Sequence, residues 1–194
     1  MNYGIIRYII GKVIEIEGAF FVIPVLTALV YHEWSGLGVY VLLACLYMFA
    51  GFIMSSKEPG KKEFYAREGY VLAALAWIIM SILGAIPFVI TGDIPSMADA
   101  VFEIASGFTT TGASILTSPE PLLKCNLMWR SFSHWIGGMG VLVFLIAILP
   151  SGGGESIYIM RAESTGPSVG KIVPRIKQTS KIPVSYTHLT LPTI

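Results

Sequence analysis

Four stretches of this 194-residue chain are apolar for too long, and too free of charge, to be one face of a soluble helix. The first runs over about Tyr3–Tyr31, with its apolar core from Gly18 and a kink expected at Pro24. The second, Gly36–Met54, is unbroken by charge, and the third, Tyr70–Ile90, has Gly84 and Pro87 near its end. The fourth covers about Leu127–Leu149, is most apolar from Trp135 onward and stops at Pro150. At a rise of ~1.5 Å per residue, each is long enough to cross ~30 Å of hydrocarbon as a helix. Glu15 and Glu17 interrupt the first stretch, so they must face protein or lie near its end; Lys12 is spaced to pair with Glu15.

Between the third and fourth stretches the pattern changes. Ser96-Met97-Ala98-Asp99 reads as a helix start, a Ser cap with an acid three residues on. The helical pattern lasts only over 96–106, roughly 16 Å, about half a membrane. The next eight residues, Gly-Phe-Thr-Thr-Thr-Gly-Ala-Ser (107–114), have no apolar period. A half-helix followed by extended polar backbone is tolerated at membrane depth only where protein buries it or where it lines a watery cavity. By itself the string also fits a polar turn after a short surface helix; its place between two spans favours a pore loop.

Composition supports a membrane setting: 54% of residues are hydrophobic and 13% charged, with mean hydropathy +0.71. The net charge of +1 offers no basic stripe for nucleic acid. Cys45 and Cys125 have no metal-site spacing and make no disulfide framework. Charge asymmetry sets the expected orientation. Lys57, Lys61, Lys62 and Arg67 cluster in the 55–69 loop, and five more basic residues follow Pro150. The 32–35 and 91–124 loops carry Lys124 as their basic residue against Glu33, Asp93, Asp99, Glu103 and Glu120. The N-terminus and the 55–69 loop are therefore expected in the cytoplasm and the 91–124 loop outside. No secretory cleavage site follows the first stretch, which reads as a retained helix.

In that orientation the half-helix points its C-terminal end, with its partial negative charge, toward mid-membrane. The strand after it can turn backbone carbonyls onto a cation that has shed water. Gly112 is placed where a positive φ is expected. Thr109, Thr110 and Thr111 add hydroxyls without formal charge, which suits a monovalent ion better than calcium or magnesium.

Asp99–Ser114 as a whole resembles the first pore loop of the Trk/Ktr/HKT superfamily of potassium transporters. The likeness extends to Arg67-Glu68-Gly69-Tyr70, Gly84-Ala85-Ile86-Pro87-Phe88 and Trp135-Ile136-Gly137-Gly138-Met139-Gly140. Arg161-Ala162-Glu163 with Gly166-Pro167, and Pro174–Thr179, are also similar to the bacterial TrkH branch. The resemblance implies an all-α integral membrane protein: two N-terminal transmembrane helices (1–56), then a helix–re-entrant pore loop–helix repeat (57–150). A cytoplasmic loop and the start of a second repeat would occupy 151–183, in a protein with four such repeats around one pore. It implies potassium as substrate, with no organic cofactor and no enzymatic activity. Thr110 and Thr111 would be the main potassium-contacting positions, flanked by Thr109 and Gly112. Residence in the inner cell membrane, a homodimer and cytoplasmic nucleotide-binding regulatory subunits are implied as well.

Other residues have plainer readings. Gly137, Gly138 and Gly140 let the fourth span approach the half-helix closely. Arg130 and His134, four apart, fit an interior network or an interfacial anchor better than a proton relay, and Trp129 and Trp135 fit interface anchors. Ser151–Gly154 lacks the Gly-Lys-Ser/Thr ending of a phosphate loop. Val184–Thr193 matches ten translated codons of a widely used transposase sequencing adapter, so 184–194, His188 included, is set aside as an artefact that cuts the natural sequence short. A subunit of a self-assembling tetrameric potassium channel remains an alternative, although Ala113 and Ser114 depart from Thr-Val-Gly-Tyr-Gly. A non-conducting membrane enzyme or structural protein is another, without any catalytic motif to support it.

Overall fold

The computed structural model describes residues 3–57 and 66–139. Among them every regular element is helical: α1 (Tyr3–Phe20), α2 (Val22–Val30), α3 (Trp34–Ser55), α4 (Ala66–Thr91), α5 (Met97–Phe108) and α6 (Lys124–Met139). Three helical stretches, Tyr3–Val30, Trp34–Ser55 and Gly69–Thr91, are long and apolar enough to cross a membrane. The expected fourth span is described only as far as Met139; its 140–149 part, the 58–65 loop and everything from 151 onward lie outside the described residues.

The first stretch breaks at Phe21, three residues before the proline expected to kink it. Pro24 lacks an N–H and its ring crowds the carbonyl of Phe20, four residues back, so the helix opens just upstream of the ring. The Phe21 N–H tightens onto Gly18 O at 3.3 Å, and the Val25 N–H returns to ordinary helical spacing on Phe21 O at 3.1 Å. The break turns Phe21 fully inward. Its ring meets Trp129 at 4.7 Å, Tyr40 at 5.3 Å and Tyr47 at 5.4 Å, joining α1, α3 and α6 in one aromatic centre.

The hairpin of α1 and α3 closes on glycine. A Cβ at Gly51 would lie 2.6 Å from Gly11 O, and one at Gly11 would lie 2.8 Å from Met54 Cβ. Backbones thus touch where lipid offers no hydrophobic drive and close packing must hold the helices together. Lys12 Nζ pairs with Glu15 Oε2 at 2.7 Å, as the spacing predicts. Glu17 faces protein and is fully buried, and neither carboxyl oxygen has a hydrogen-bond partner among the described residues.

Helix α6 begins at Lys124, three residues ahead of the expected Leu127, because two distant carboxylates receive its first N–H groups. Glu33, from the corner between α2 and α3, accepts from Lys124 N at 2.7 Å and Cys125 N at 3.0 Å. Asp93 Oδ2 accepts from Leu123 N at 2.9 Å and Asn126 Nδ2 at 2.6 Å. Both acids sit at the positive end of the helix. Partial burial pulls the Glu33 carboxyl upward, but the Cys125 and Lys124 N–H bonds outweigh it and hold it below 4.5. Trp129 is no interface anchor: it is fully buried, and its Nε1 donates to Gly84 O at 2.9 Å. Trp135 is half-buried and stacks on Phe132 at 5.2 Å.

Candidate functional site

Helix α5 packs between α4 and α6. Ser96 stands before it in extended backbone, and its hydroxyl accepts the Asp99 N–H at 3.5 Å, the cap its sequence predicts. The helix has 12 residues, roughly 18 Å. It runs to Phe108, two residues past the expected end, so Gly107 and Phe108 belong to the last helical turn and not to the strand. Tight packing against α6 holds that turn. A Cβ at Gly107 would overlap Ser133 Oγ and lie 3.2 Å from Ser133 Cβ, and one at Gly137 would lie 2.7 Å from the Phe108 carbonyl carbon.

The helix ends in a Schellman turn. Thr109 is the C-cap, Thr111 N donates to Ser106 O at 3.0 Å, and Thr110 N donates to Gly107 O at 2.9 Å. The residue after the cap in this motif is usually glycine, because it takes a left-handed conformation. Here it is Thr110, with φ +56. A β-branched residue held there stores strain of about 1–3 kcal/mol, which the surrounding contacts must sustain. Gly112 has φ +74, as its position led us to expect, and none of the described residues lies within 4 Å of where its Cβ would be. Positive φ at Thr110 and Gly112, but not at Thr109 or Thr111, alternates the hand of the backbone. Such alternation brings successive carbonyls toward one side of a chain.

Among the described residues, none donates a hydrogen bond to the carbonyls of Thr109, Thr110, Thr111 or Gly112, and all four residues are exposed. The next carbonyl is not free: Ala113 O accepts from Ser106 Oγ at 2.6 Å. The threonine hydroxyls turn partly back onto the helix. Thr109 Oγ1 donates to Ala105 O at 2.8 Å and lies 2.8 Å from Thr111 Oγ1. The segment thus presents bare backbone oxygens at the C-terminal, electronegative end of a helix.

Behind it lies a buried polar set whose pairing the sequence alone did not give. The Glu103 side chain is fully buried on the inner face of α5. Its carboxylate accepts from Ser114 Oγ at 3.0 and 3.1 Å, from Ile115 N at 3.1 Å, and from Arg130 Nε on α6. An acid in the middle of a half-helix and a lone arginine on the following span were the signal that could have paired them. Arg130 thus belongs to an interior network. His134 Nδ1 lies 3.0 Å from the Arg130 carbonyl.

Similarity to known proteins bears on this geometry. Residues 40–190 match the TrkH family, described as cation transport proteins. The chain is 33% identical over 193 residues to a Trk system potassium uptake protein TrkH of Halomonas elongata, covering 98% of this chain and 40% of the relative. It is 33% identical to the protein of that name in Escherichia coli K12 over 184 residues, covering 93% of this chain and 38% of the relative. An uncharacterized cation transporter of Methanocaldococcus jannaschii is 34% identical over 185 residues, covering 95% of this chain and 39% of the relative. The chain therefore spans about 40% of the length of these curated relatives. The family match runs into 184–190, so the boundary drawn at Val184 stands on the adapter match alone.

Proposed function

The chain belongs to the TrkH family of cation transport proteins, and we propose that it supplies part of the path by which potassium is taken up across a cell membrane. In this reading α4, α5, the 109–115 segment and α6 form one helix–re-entrant loop–helix unit of a pore that further units complete. The four carbonyls of Thr109–Gly112, without a donor among the described residues and at the end of a half-helix too short to span, carry the proposal. Carbonyls without donors are costly in a dry interior unless something replaces the missing partner, and a dehydrated potassium ion does so. Thr109, Thr110, Thr111 and Gly112 are the proposed potassium ligands, chiefly through the backbone. Ser106 takes the Ala113 carbonyl, and Glu103 takes the Ser114 hydroxyl and the Ile115 N–H, which ties the residues after this stretch back to α5. The names of the relatives, transporters and uptake proteins and not enzymes, favour the same substrate.

The proposal includes residence in the bilayer with the N-terminus in the cytoplasm and, from the family resemblance, a homodimer served by cytoplasmic nucleotide-binding regulatory subunits. A cysteine at exposed Ser118 should react in intact cells with a membrane-impermeant thiol reagent; protection that persists until the membrane is opened would reverse the orientation.

Radioactive rubidium uptake by the intact gene product in cells lacking their own potassium uptake tests the function. Uptake should be selective over sodium, and Gly112→Ser should lower that selectivity with the protein still in the membrane. Its φ of +74 makes any side chain there a strain on the carbonyl cage, whatever the space around it. Unaltered selectivity would remove Gly112 from the filter.

A further inference from the structure

The free carbonyls lie between two anchors. On one side, the Schellman turn fixes Thr109–Thr111 to the end of α5. On the other, Ala113 O is held by Ser106, and Ser114 Oγ and Ile115 N are held by Glu103. Both anchors sit on the same helix, so the loop closes into a cradle whose span depends on where the Glu103 carboxylate stands. That carboxylate is tied in turn to α6 by Arg130, whose side chain is 23% exposed while that of Glu103 is fully buried.

From this arrangement we infer that the Glu103–Arg130 pair is a positioning device for ion selectivity: it fixes the far anchor of the filter strand and so sets the size of the carbonyl cage. Neither residue contacts the ion. Glu103 acts through Ser114 and Ile115, and Arg130 acts by holding Glu103. Potassium is favoured over sodium only while the carbonyls stay too far apart to close on the smaller ion. A strand freed at its far end can collapse onto sodium. A buried charge-assisted network of this kind is stiff when every member is satisfied and fails when one partner leaves the other charge alone. The inference rests on the transport reading above and adds to it the residues that keep the filter open.

The test measures rubidium and sodium uptake by the intact gene product at matched membrane amounts. Glu103→Gln keeps an acceptor for the Ile115 N–H but removes the charge that Arg130 meets; Arg130→Gln removes the other charge. Each should lower the rubidium-to-sodium ratio by about tenfold, the order set by losing one charge-assisted hydrogen bond. Arg130→Lys should recover part of the loss. The double variant should be no worse than the worse single, because the two act as one unit. Multiplying losses, or ratios within about twofold of the parent in both singles, would overturn the inference while leaving the transport reading intact. If Glu103→Gln fails to reach the membrane, Ser114→Ala decides. It removes one exposed anchoring hydroxyl, and it should lower the ratio by roughly threefold, the low end for one hydrogen bond; an unchanged ratio sinks the inference. An unsubstituted protein that takes up no rubidium would overturn the transport reading and the selectivity role of the pair with it.

Discussion

Gly137→Ala puts the packing of α6 on α5 to a direct test. The new methyl would sit 2.7 Å from the carbonyl carbon of Phe108 and 2.9 Å from its Cα, with the carbonyl oxygen nearer still. Ordinary carbon–carbon contact begins near ~3.5 Å. The two helices would therefore have to part by roughly 1 Å. No rotamer change relieves the clash, because the atoms met are backbone on α5 and the methyl is fixed to backbone on α6. Overpacking of this kind costs about 1–3 kcal/mol. The displaced carbonyl belongs to the residue before Thr109, so the shift is delivered to the start of the free-carbonyl stretch. Thermal unfolding of the detergent-solubilised protein should show the loss of stability, and the rubidium-to-sodium uptake ratio should fall with it. Gly38→Ala is the control: none of the described residues lies within 4 Å of a Cβ there. It should be neutral or stabilising by about 0.5–1 kcal/mol, since alanine suits a helix better than glycine. If Gly137→Ala were indistinguishable from Gly38→Ala in both measurements, α6 would not press on the end of α5 as described.

Thr110→Gly should relieve the left-handed strain at φ +56 and leave the protein equally or more stable, yet widen the loop's conformations and lower ion selectivity; a more stable variant with unchanged selectivity would mean that the strain serves no purpose. Glu33→Ala should cost about 1 kcal/mol at neutral pH by uncapping α6. The Glu33 carboxyl is lowered on folding, so its contribution is full above 4.5 and disappears as pH falls through its folded value. The stability gap between parent and variant should close over that window, and a gap constant from neutral to strongly acid pH would refute the capping account. Glu17→Gln should not destabilise, because neither carboxyl oxygen has a partner among the described residues; a loss above about 1 kcal/mol would reveal a partner outside residues 3–57 and 66–139.

Much of the architecture is legible in the sequence because lipid imposes a simple rule on long apolar runs. The three described spans fall where the runs fall, and Ser96 with Asp99 marks the start of α5. The two misplaced helix ends around the loop share a cause: each depends on a partner distant in sequence. Pattern alone ends α5 at Ser106, but α6 packing through Gly137 and Ser133 carries it to Phe108. Apolar content starts the fourth span at Leu127, but Glu33 and Asp93 draw the helix back to Lys124. The kink was assigned to Pro24 itself, whereas a proline's crowding acts one turn upstream, at Phe21. At the loop, Thr109–Gly112 stood out by composition. Of the residues that hold them, Arg130 reads toward an interior network but Glu103 only as an outer-loop charge, because a pairing 27 positions apart shows only once the helices that carry it are seen to touch.

The cap on α6 also carries information about the order of events during synthesis. Glu33 leaves the ribosome some 90 residues before the Lys124 and Cys125 amides it receives, several seconds earlier at ordinary translation rates of about 5–20 residues per second. The corner between α2 and α3 is thus in place first, as a docking point that waits for the start of α6. A ribosome-stalled chain ending before Lys124 would already hold the receptor for a helix that does not yet exist. Transplanting the N-terminal hairpin between relatives would then require the incoming corner to bring an acid to this spot as well as a matching apolar surface.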